Sequence, residues 1–473
     1  MQFLALGAIS ALLLSFSSRP WGSPYFALVA FVPVLFALTA EKSIGRGAAI
    51  TYVSALPMFI IGFEGLVVEA PLTYYGVVFT LGLCFSVPGA VTVWLHRRFG
   101  NQLFIWVFAV CWVAVETLSG SVELWHNWAN PLYVGLSQVS SPLAQVAFWA
   151  GPSLVSFCVL ALNIGLFFLF KRERTPLVVV AATVLILCMS PNLLRSTSAL
   201  EPLKLGVVQG QLSDIELVAA SFSVHEQEKL VARYLDLTDV LRTEHPDVDL
   251  VVWAEAAIGW YIGYIDSDSS LEVLFPQDLP LLTGGYHSAS QGLSNSVVYW
   301  NGESYSSVYE KEFLVPVFEN FLAPGEGYRS GLPQISGQEI GLGICWESLY
   351  AELSRQSVLE GADLLTFIAD DTFAGQSVTP WGHMRTTSMR AIETGRPAVF
   401  ASQAGPSGIF SPTGQPILTT QRGKGYWVAE VPQTTGEVIT PFVRFGNWFG
   451  WGCLSATLVM LIISFYQKPE PSG

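Results

Sequence analysis

Three short segments of the 473-residue chain hold side chains that could do chemistry. In Val251-Val252-Trp253-Ala254-Glu255-Ala256-Ala257, an apolar run leads straight into a carboxylate. In Tyr309-Glu310-Lys311-Glu312-Phe313-Leu314-Val315-Pro316, a lysine stands just past a strand-like stretch. In Gly341-Leu342-Gly343-Ile344-Cys345-Trp346-Glu347, a thiol stands between a strand pattern and a helix pattern. A turn of that kind exposes a nucleophile and aims backbone N–H groups at one point. Each residue alone has a plain reading: Glu255 as a strand-end surface carboxylate, Lys311 as part of a solvated charge run, Cys345 as a core thiol. Together they are a base, a cation and a nucleophile. A thiol attacks poorly until it is deprotonated. A carboxylate with a raised pKa can take its proton. Attack on an ester or amide carbonyl builds an oxyanion, which a fixed ammonium and a backbone N–H stabilise in a dry site. The set is complete for acyl transfer.

The elements that must position these groups follow from periodicity. Leu203–Val208 and Leu250–Trp253 read as buried strands, with a helical pattern over 214–244 between them. Leu281–Gly284 is a short strand, and Val297–Trp300, Asn301-Gly302 and Tyr305–Tyr309 read as a hairpin with an Asn-Gly turn. Ile340–Ile344, a helix over 348–360, Leu364–Ile368, a helix over 380–394 and Ala398–Ala401 follow. Two hairpin-like segments close the region, at Pro412–Gln415 and Tyr426–Val431. Alternating apolar strands and helices predict an α/β domain whose sheet is covered by helices. In such a sheet the strand ends can converge on one crevice.

The rest of the chain is of another kind. Apolar residues make up 51% of the sequence and charged residues 13%, half the share of an ordinary soluble domain. The first 199 residues carry nine basic and six acidic side chains, whereas residues 200–444 carry thirteen and thirty. Eight apolar stretches are candidate spans: 2–17, 24–40, 46–63, 72–95, 102–118, 144–171, 175–190 and 445–466. The first lacks the basic start and small-residue cleavage site of a signal peptide, so it reads as a retained span. Lys42, Arg46, Arg97, Arg98, Lys171, Arg172, Arg174 and Lys468 fall on one side if the spans alternate, and that side is expected to be cytoplasmic. The division expected is a helical membrane region of seven spans at 1–195, an outward-facing catalytic domain at 196–444, and a last span with a short cytoplasmic tail at 445–473. Glu64, Glu69 and Glu116 are expected at interfacial span ends. A net charge of −14 without a basic stripe excludes nucleic acid as a partner. Cys84, Cys111, Cys158, Cys188 and Cys453 lie in spans and read as small buried hydrophobes. Only Cys345 lies in the soluble region. No CxxC or HxxxH spacing occurs, so neither a metal site nor a cofactor is expected.

The motifs together resemble the apolipoprotein N-acyltransferase family, a membrane-bound branch of the nitrilase (carbon–nitrogen hydrolase) superfamily. The resemblance runs over nearly the whole chain. It includes Val208-Gln209-Gly210, Trp-Ala-Glu-Ala-Ala around Glu255, Glu-Lys-x-x-Leu-Val-Pro around Lys311 and Gly-Ile-Cys-Trp-Glu around Cys345. It also includes Pro380-Trp381-Gly382-His383 and Met389-Arg390-Ala391-Ile392-Glu393-Thr394-Gly395-Arg396-Pro397. Asn130-Pro131-Leu132 through Gln138 and Phe445-Gly446-Asn447-Trp448 look like the family's membrane-border segments. The resemblance implies an αββα sandwich, with Glu255 as base, Lys311 as oxyanion stabiliser and Cys345 as nucleophile. Glu319 matches a second essential Glu that orients Lys311 or Cys345. Trp346 and Glu347 match the two positions after the nucleophile, and the Trp346 N–H would complete the oxyanion hole. The implied reaction moves an acyl chain from a membrane phospholipid, through a Cys345 thioester, to the N-terminal amine of a diacylated lipoprotein in a bacterial inner membrane. The catalytic domain would face the periplasm, and a monomer is expected. Four places depart from the family pattern: Ala254 replaces Pro, Phe318 replaces Gly, Ala369-Asp370-Asp371-Thr372-Phe373 replaces Thr/Ser-Asn-Asp-x-Trp, and Gln403-Ala404-Gly405 replaces Asn-x-Gly. Asp370 and Asp371 read as capping or turn residues.

Apolar stretches border the catalytic residues: Trp260, Tyr261, Ile262 and Tyr264 after Glu255, and Phe313 through Phe318 after Lys311. They read either as loops that dip into the outer leaflet and admit acyl chains, or as ordinary core. The acidic balance of the domain favours a zwitterionic donor over an anionic one. A membrane-tethered amidase would use the same residues with water as acceptor, but it has no need of the spans. An inactive lipoprotein-binding scaffold has no need of Glu255, Lys311 and Cys345. A transporter would show more charge inside its spans.

Overall fold

A computed structural model of the chain describes residues 2–18, 22–99, 105–126, 129–194, 200–259, 275–276, 278–289, 292–328, 331–375, 377–434 and 438–466. The chain forms two compact units: Met1–Arg195 with Arg444–Gly473, and Ser196–Val443.

In the first unit, five helices among the described residues are long and apolar enough to cross a bilayer: Ile44–Gly62, Pro71–Phe99, Pro142–Phe170, Thr175–Leu194 and Trp448–Tyr466. Three shorter apolar helical segments, Phe3–Ser17, Pro24–Ala40 and Ile105–Ser119, complete the eight expected from hydropathy. The segment at 24–40 is broken rather than continuous, into Ala27–Ala30 and Val32–Ala40. Pro33 has no N–H to donate one turn back, so the helix cannot run straight through. The buried Asn163 makes good the break, accepting from the Phe31 N–H at 2.9 Å and donating to the Ala27 carbonyl at 2.9 Å. In hydrocarbon such groups must be satisfied within the protein. Glu116, three residues from the end of its helix, is fully buried, and one carboxylate oxygen accepts from the Trp112 indole N–H at 3.0 Å and the Val134 N–H at 2.7 Å. It is spent on fixing the chain that follows its own helix.

Among its described residues the second unit has thirteen strands: β1 (Leu203–Gln209), β2 (Leu250–Trp253), β3 (Leu281–Ala289), β4 (Gly292–Trp300), β5 (Tyr305–Glu310), β6 (Gly327–Tyr328), β7 (Gln334–Ile335), β8 (Gln338–Ile344), β9 (Leu364–Ala369), β10 (Ala398–Ser402), β11 (Gly408–Phe410), β12 (Pro416–Thr419) and β13 (Gly425–Val431). They form two sheets, ordered β13-β1-β2-β3-β4-β5-β6 and β12-β11-β10-β9-β8-β7. The runs β1-β2-β3 and β8-β9-β10 are parallel. Side chains alternate along each strand, and both faces are buried. Leu205, Val207, Leu250 and Val252 meet Ile340, Ile344, Phe367 and Val399 between the sheets. Val208, Val251 and Trp253 point the other way, onto Tyr234, Leu230 and Leu241 of the helix Val224–Glu244. Helices Ala351–Leu359 and Thr379–Thr394 pack on the second sheet. The result is the four-layered αββα sandwich.

The sequence reading needs local corrections. The helical stretch at 214–244 is two helices, Asp214–Phe222 and Val224–Glu244, because Ser223 is extended and its hydroxyl caps the second. The hairpin between β4 and β5 closes through four residues, Asn301 to Ser304, instead of a two-residue Asn-Gly turn. There the Asn301 side-chain oxygen accepts from the Glu303 and Ser304 N–H groups, which stabilises the longer loop. The strand at 281–284 extends to Ala289 and pairs with β4 along its whole length.

Candidate active site

Four strands deliver chemistry at the same kind of place, their C-terminal ends. Glu255 follows β2, Lys311 follows β5, Cys345 follows β8 and Asp370 follows β9. β5 runs in the same direction as β2, being two antiparallel steps from β3. Backbone strain marks these ends. Ala256, Cys345 and Asp371 hold φ of +55°, +52° and +57°, a region that non-glycine residues avoid unless neighbours hold them there. Gly284 of β3 is where it must be: a Cβ there would lie 2.6 Å from the Glu255 Cα.

Glu255 is buried and fully engaged. One oxygen accepts from the Asn295 side-chain N–H at 2.6 Å and lies 3.6 Å from the Lys311 Nζ. The other accepts from the Asp370 backbone N–H at 2.8 Å. Lys311 is 1% exposed and donates to Glu319 at 2.8 Å. Glu319 also accepts from Asn295 at 3.3 Å and from the Val315 N–H at 2.6 Å, so it braces its own loop. Lys311 is thus an ammonium between two carboxylates, with Asn295 linking the same two. Burial opposes its charge, but Glu319 and Glu255 outweigh that and hold its pKa well above the ordinary lysine value. Burial pushes the Glu255 carboxyl up; Lys311 pulls it down and Glu319 pushes it up again, leaving it raised. The Cys345 thiol is held well above its ordinary value by burial and then by Glu255, with Lys311 working the other way. At rest it is a thiol beside a carboxyl poised to hold a proton.

Glu347 ties two of these ends together. One oxygen accepts from the Glu312 and Phe313 N–H groups at 2.8 and 3.1 Å, just past Lys311. The other accepts from the Ile344 N–H at 2.7 Å, just before Cys345. Burial lifts its pKa to about 7, against the pull of Lys311. The Trp346 indole N–H donates to the Tyr350 hydroxyl at 2.6 Å.

The sequence reading gave no role to Asn295, His383 or Ser402. Asn295 sits mid-strand between two serines and carries no periodic signal. His383 lay in a segment noticed only for its resemblance. Asp370 and Asp371 do more than turn the chain: Asp370 bonds Glu255 through its backbone, and Asp371 accepts from the His383 Nδ1–H and the Ser402 hydroxyl, each at 2.9 Å. The replaced segment at 403–405, just past β10, is hydrogen-bonded to that turn. The Gln403 and Ala404 N–H groups donate to the carbonyls of Ala369 and Asp370, and Tyr234 donates to the Gln403 side chain. Donor atoms of Cys345, Asp371 and His383 lie within 4.8 Å of one another. A thiophilic cation could use such a set, which the sequence spacing did not suggest. Here both Asp371 oxygens are already engaged. Phe313 packs on Tyr350 and Phe318 on Phe373, with ring centroids 5.7 and 6.0 Å apart. Trp260, Tyr261, Ile262 and Tyr264 lie outside the described residues.

Residues 204–440, half the chain, match the carbon–nitrogen hydrolase family model, and residues 10–165 match that of the apolipoprotein N-acyltransferase N-terminal domain. The chain belongs to the apolipoprotein N-acyltransferase family. It is 26% identical to an apolipoprotein N-acyltransferase from Geobacter metallireducens, over 98% of this chain and 95% of that one. It is 29% identical to one from Azotobacter vinelandii, over 80% and 77%. Among solved structures it is similar to a carbon–nitrogen hydrolase from Helicobacter pylori G27, with 17% identity and a TM-score of 0.41, covering 57% of this chain and 95% of that one. Membership gives the family's two-part layout a meaning here: a helical membrane region joined to a hydrolase-fold domain in which a thiol, a carboxyl and a buried ammonium meet.

Proposed function

We propose that the protein transfers an acyl chain from a membrane phospholipid to the N-terminal amine of a diacylated lipoprotein, through a thioester on Cys345. One observation carries this reading: the Glu255–Lys311–Cys345 grouping sits in the same chain as a membrane region matching the apolipoprotein N-acyltransferase N-terminal domain. In the first half, the Glu255 carboxylate takes the Cys345 thiol proton, and Sγ attacks the ester carbonyl. The oxyanion is met by the Lys311 ammonium and the Trp346 backbone N–H. The carbon–oxygen bond breaks, and Glu255 returns the proton to the departing alkoxide, releasing lysophospholipid. In the second half, the neutral α-amine attacks the thioester. Glu255 takes a proton from nitrogen, the carbon–sulfur bond breaks, and the proton passes to the Cys345 thiolate. The product is an amide, and no cofactor is consumed.

Glu319 holds Lys311 in place and Glu347 fixes its loop against the nucleophile. The apolar side chains that border the catalytic residues in sequence, Trp260, Tyr261, Ile262, Tyr264, Phe313 and Phe318, are of the type that admits acyl chains. The acidic catalytic unit suits a zwitterionic donor. It faces the periplasm, opposite the basic loops, and the protein acts as a monomer in a bacterial inner membrane.

Acyl loading tests the reading. Purified protein in detergent is given phospholipid with a labelled acyl chain and no acceptor. Label that neutral hydroxylamine removes is expected on wild type and absent from Cys345→Ala. Absence of such label from folded wild type would overturn the transferase, and release of free labelled acid would favour the amidase instead.

A further inference from the structure

His383 takes no part in the steps above, yet it lies beside them. Its helix, Thr379–Thr394, packs against the turn that begins at Cys345 and against β10. Its ring is 3% exposed and donates through Nδ1 to Asp371 at 2.9 Å. A carboxylate only accepts, so this nitrogen carries the proton in either the neutral or the charged ring. Asp371 is left-handed, with φ +57° and ψ 5°. A residue with a side chain keeps that conformation only where its surroundings fix it. Two side chains do so here, His383 on one oxygen and Ser402 on the other. Ser402 is in turn held by the Gly405 N–H at 2.9 Å. The residue just before this clamped position is Asp370, whose backbone N–H meets Glu255 at 2.8 Å.

We infer that His383 is a positioning residue for the base: by holding Asp371 left-handed, it aims the Asp370 N–H at the Glu255 carboxylate. The inference rests on Glu255 being the base that activates Cys345. A donated N–H favours the ionised carboxylate and fixes its direction. Losing it leaves Glu255 with Asn295 and Lys311 alone on one oxygen, with a higher pKa and a looser aim. Other groups set the same titration and stay unchanged: Lys311, Glu319, Cys345 and Tyr286 face Glu255, while Asp371 and Cys345 face His383. Since the side chain acts two residues away from the base, its loss displaces the pH profile rather than merely lowering the rate.

The test is the pH dependence of Cys345 alkylation by iodoacetamide, read on the Cys345 peptide of the full-length protein in detergent. It needs no substrate, so it stands apart from the acyl-loading test. In His383→Leu the midpoint of the rise with pH should move upward by about one unit. The plateau rate should fall by about tenfold or more through misalignment. His383→Asn, whose amide can donate the same bond, should restore the wild-type midpoint. An unmoved midpoint in His383→Leu, or an equal displacement in His383→Asn, would overturn the inference. If His383→Leu does not fold, Ser402→Ala decides: it removes the other clamp and should displace the midpoint in the same direction, and an unmoved midpoint overturns the inference. Alkylation that behaves as expected in a wild type that never loads acyl chains would leave the inference standing and sink the proposed reaction.

Discussion

Lys311 is an ammonium sealed from water, which is costly unless its charge is matched. Glu319 at 2.8 Å and Glu255 at 3.6 Å supply the match. Removing the ammonium therefore does two things: it strips the oxyanion of its cation and leaves two carboxylates facing each other. Lys311→Met should lower the acyl-loading rate by about 10²–10³-fold, the usual cost of one oxyanion donor. The wild-type rate should itself rise with pH. Glu255 accepts a proton only when ionised, and burial has raised its pKa, so the midpoint should lie above the ordinary glutamate range. A midpoint within that range would mean that another group takes the thiol proton. Glu255 and Cys345 were readable because each ends a buried, largely apolar strand, where a lone functional side chain stands out, and Lys311 by its place just past a strand-like stretch. Asn295 was not: it lies inside β4, and only the fold brings it between Glu255 and Glu319.

At the scale of elements, Glu347 is the joint between the loop after β5 and the turn after β8. Its two oxygens take three backbone N–H groups. A glutamine can accept with only one oxygen, and its amide would meet the remaining N–H donor to donor. Glu347→Gln should cost about 1–3 kcal/mol of stability, measurable by thermal denaturation, as one buried donor goes unmet. Acyl loading should fall with it, since Lys311 and Cys345 lose their common brace. Gly284→Ala should displace the base without touching any charged group, because the new methyl has no room against the Glu255 backbone. Its readout is loss of loading with iodoacetamide labelling of the other thiols unchanged. The strand order of this unit was beyond sequence reading, since β1 pairs with β13 from the far end of the domain. The burial of both faces was not, because the apolar run of β2 is unbroken and that of β1 is interrupted only by Lys204 before its end at Gln209.

At the scale of the molecule, hydropathy found the eight longer apolar helical segments of the described residues but not what holds them. Glu116 stands near its span end, and the fold adds what hydropathy does not show, that it is a buried acceptor for Trp112 and Val134. Glu116→Leu should lower the melting temperature of the detergent-solubilised protein, reflecting about 1–3 kcal/mol for donors left unmet. Unchanged melting would mean those two N–H groups find acceptors elsewhere. The break at Phe31 was equally hidden, because Asn163 lies 132 residues away in sequence. Cysteine placement has a consequence of its own. Five thiols lie in the membrane unit, and the catalytic unit has Cys345 alone. Peroxides oxidise thiolates to sulfenic acid, which goes on to sulfinic acid unless a second thiol condenses with it to a disulfide. Cys345 has no second cysteine in its unit to supply that rescue. Burial and the neighbouring Glu255 both favour its protonated form. The surroundings that favour the protonated thiol thereby also shield the sulfur proposed as the nucleophile from oxidants.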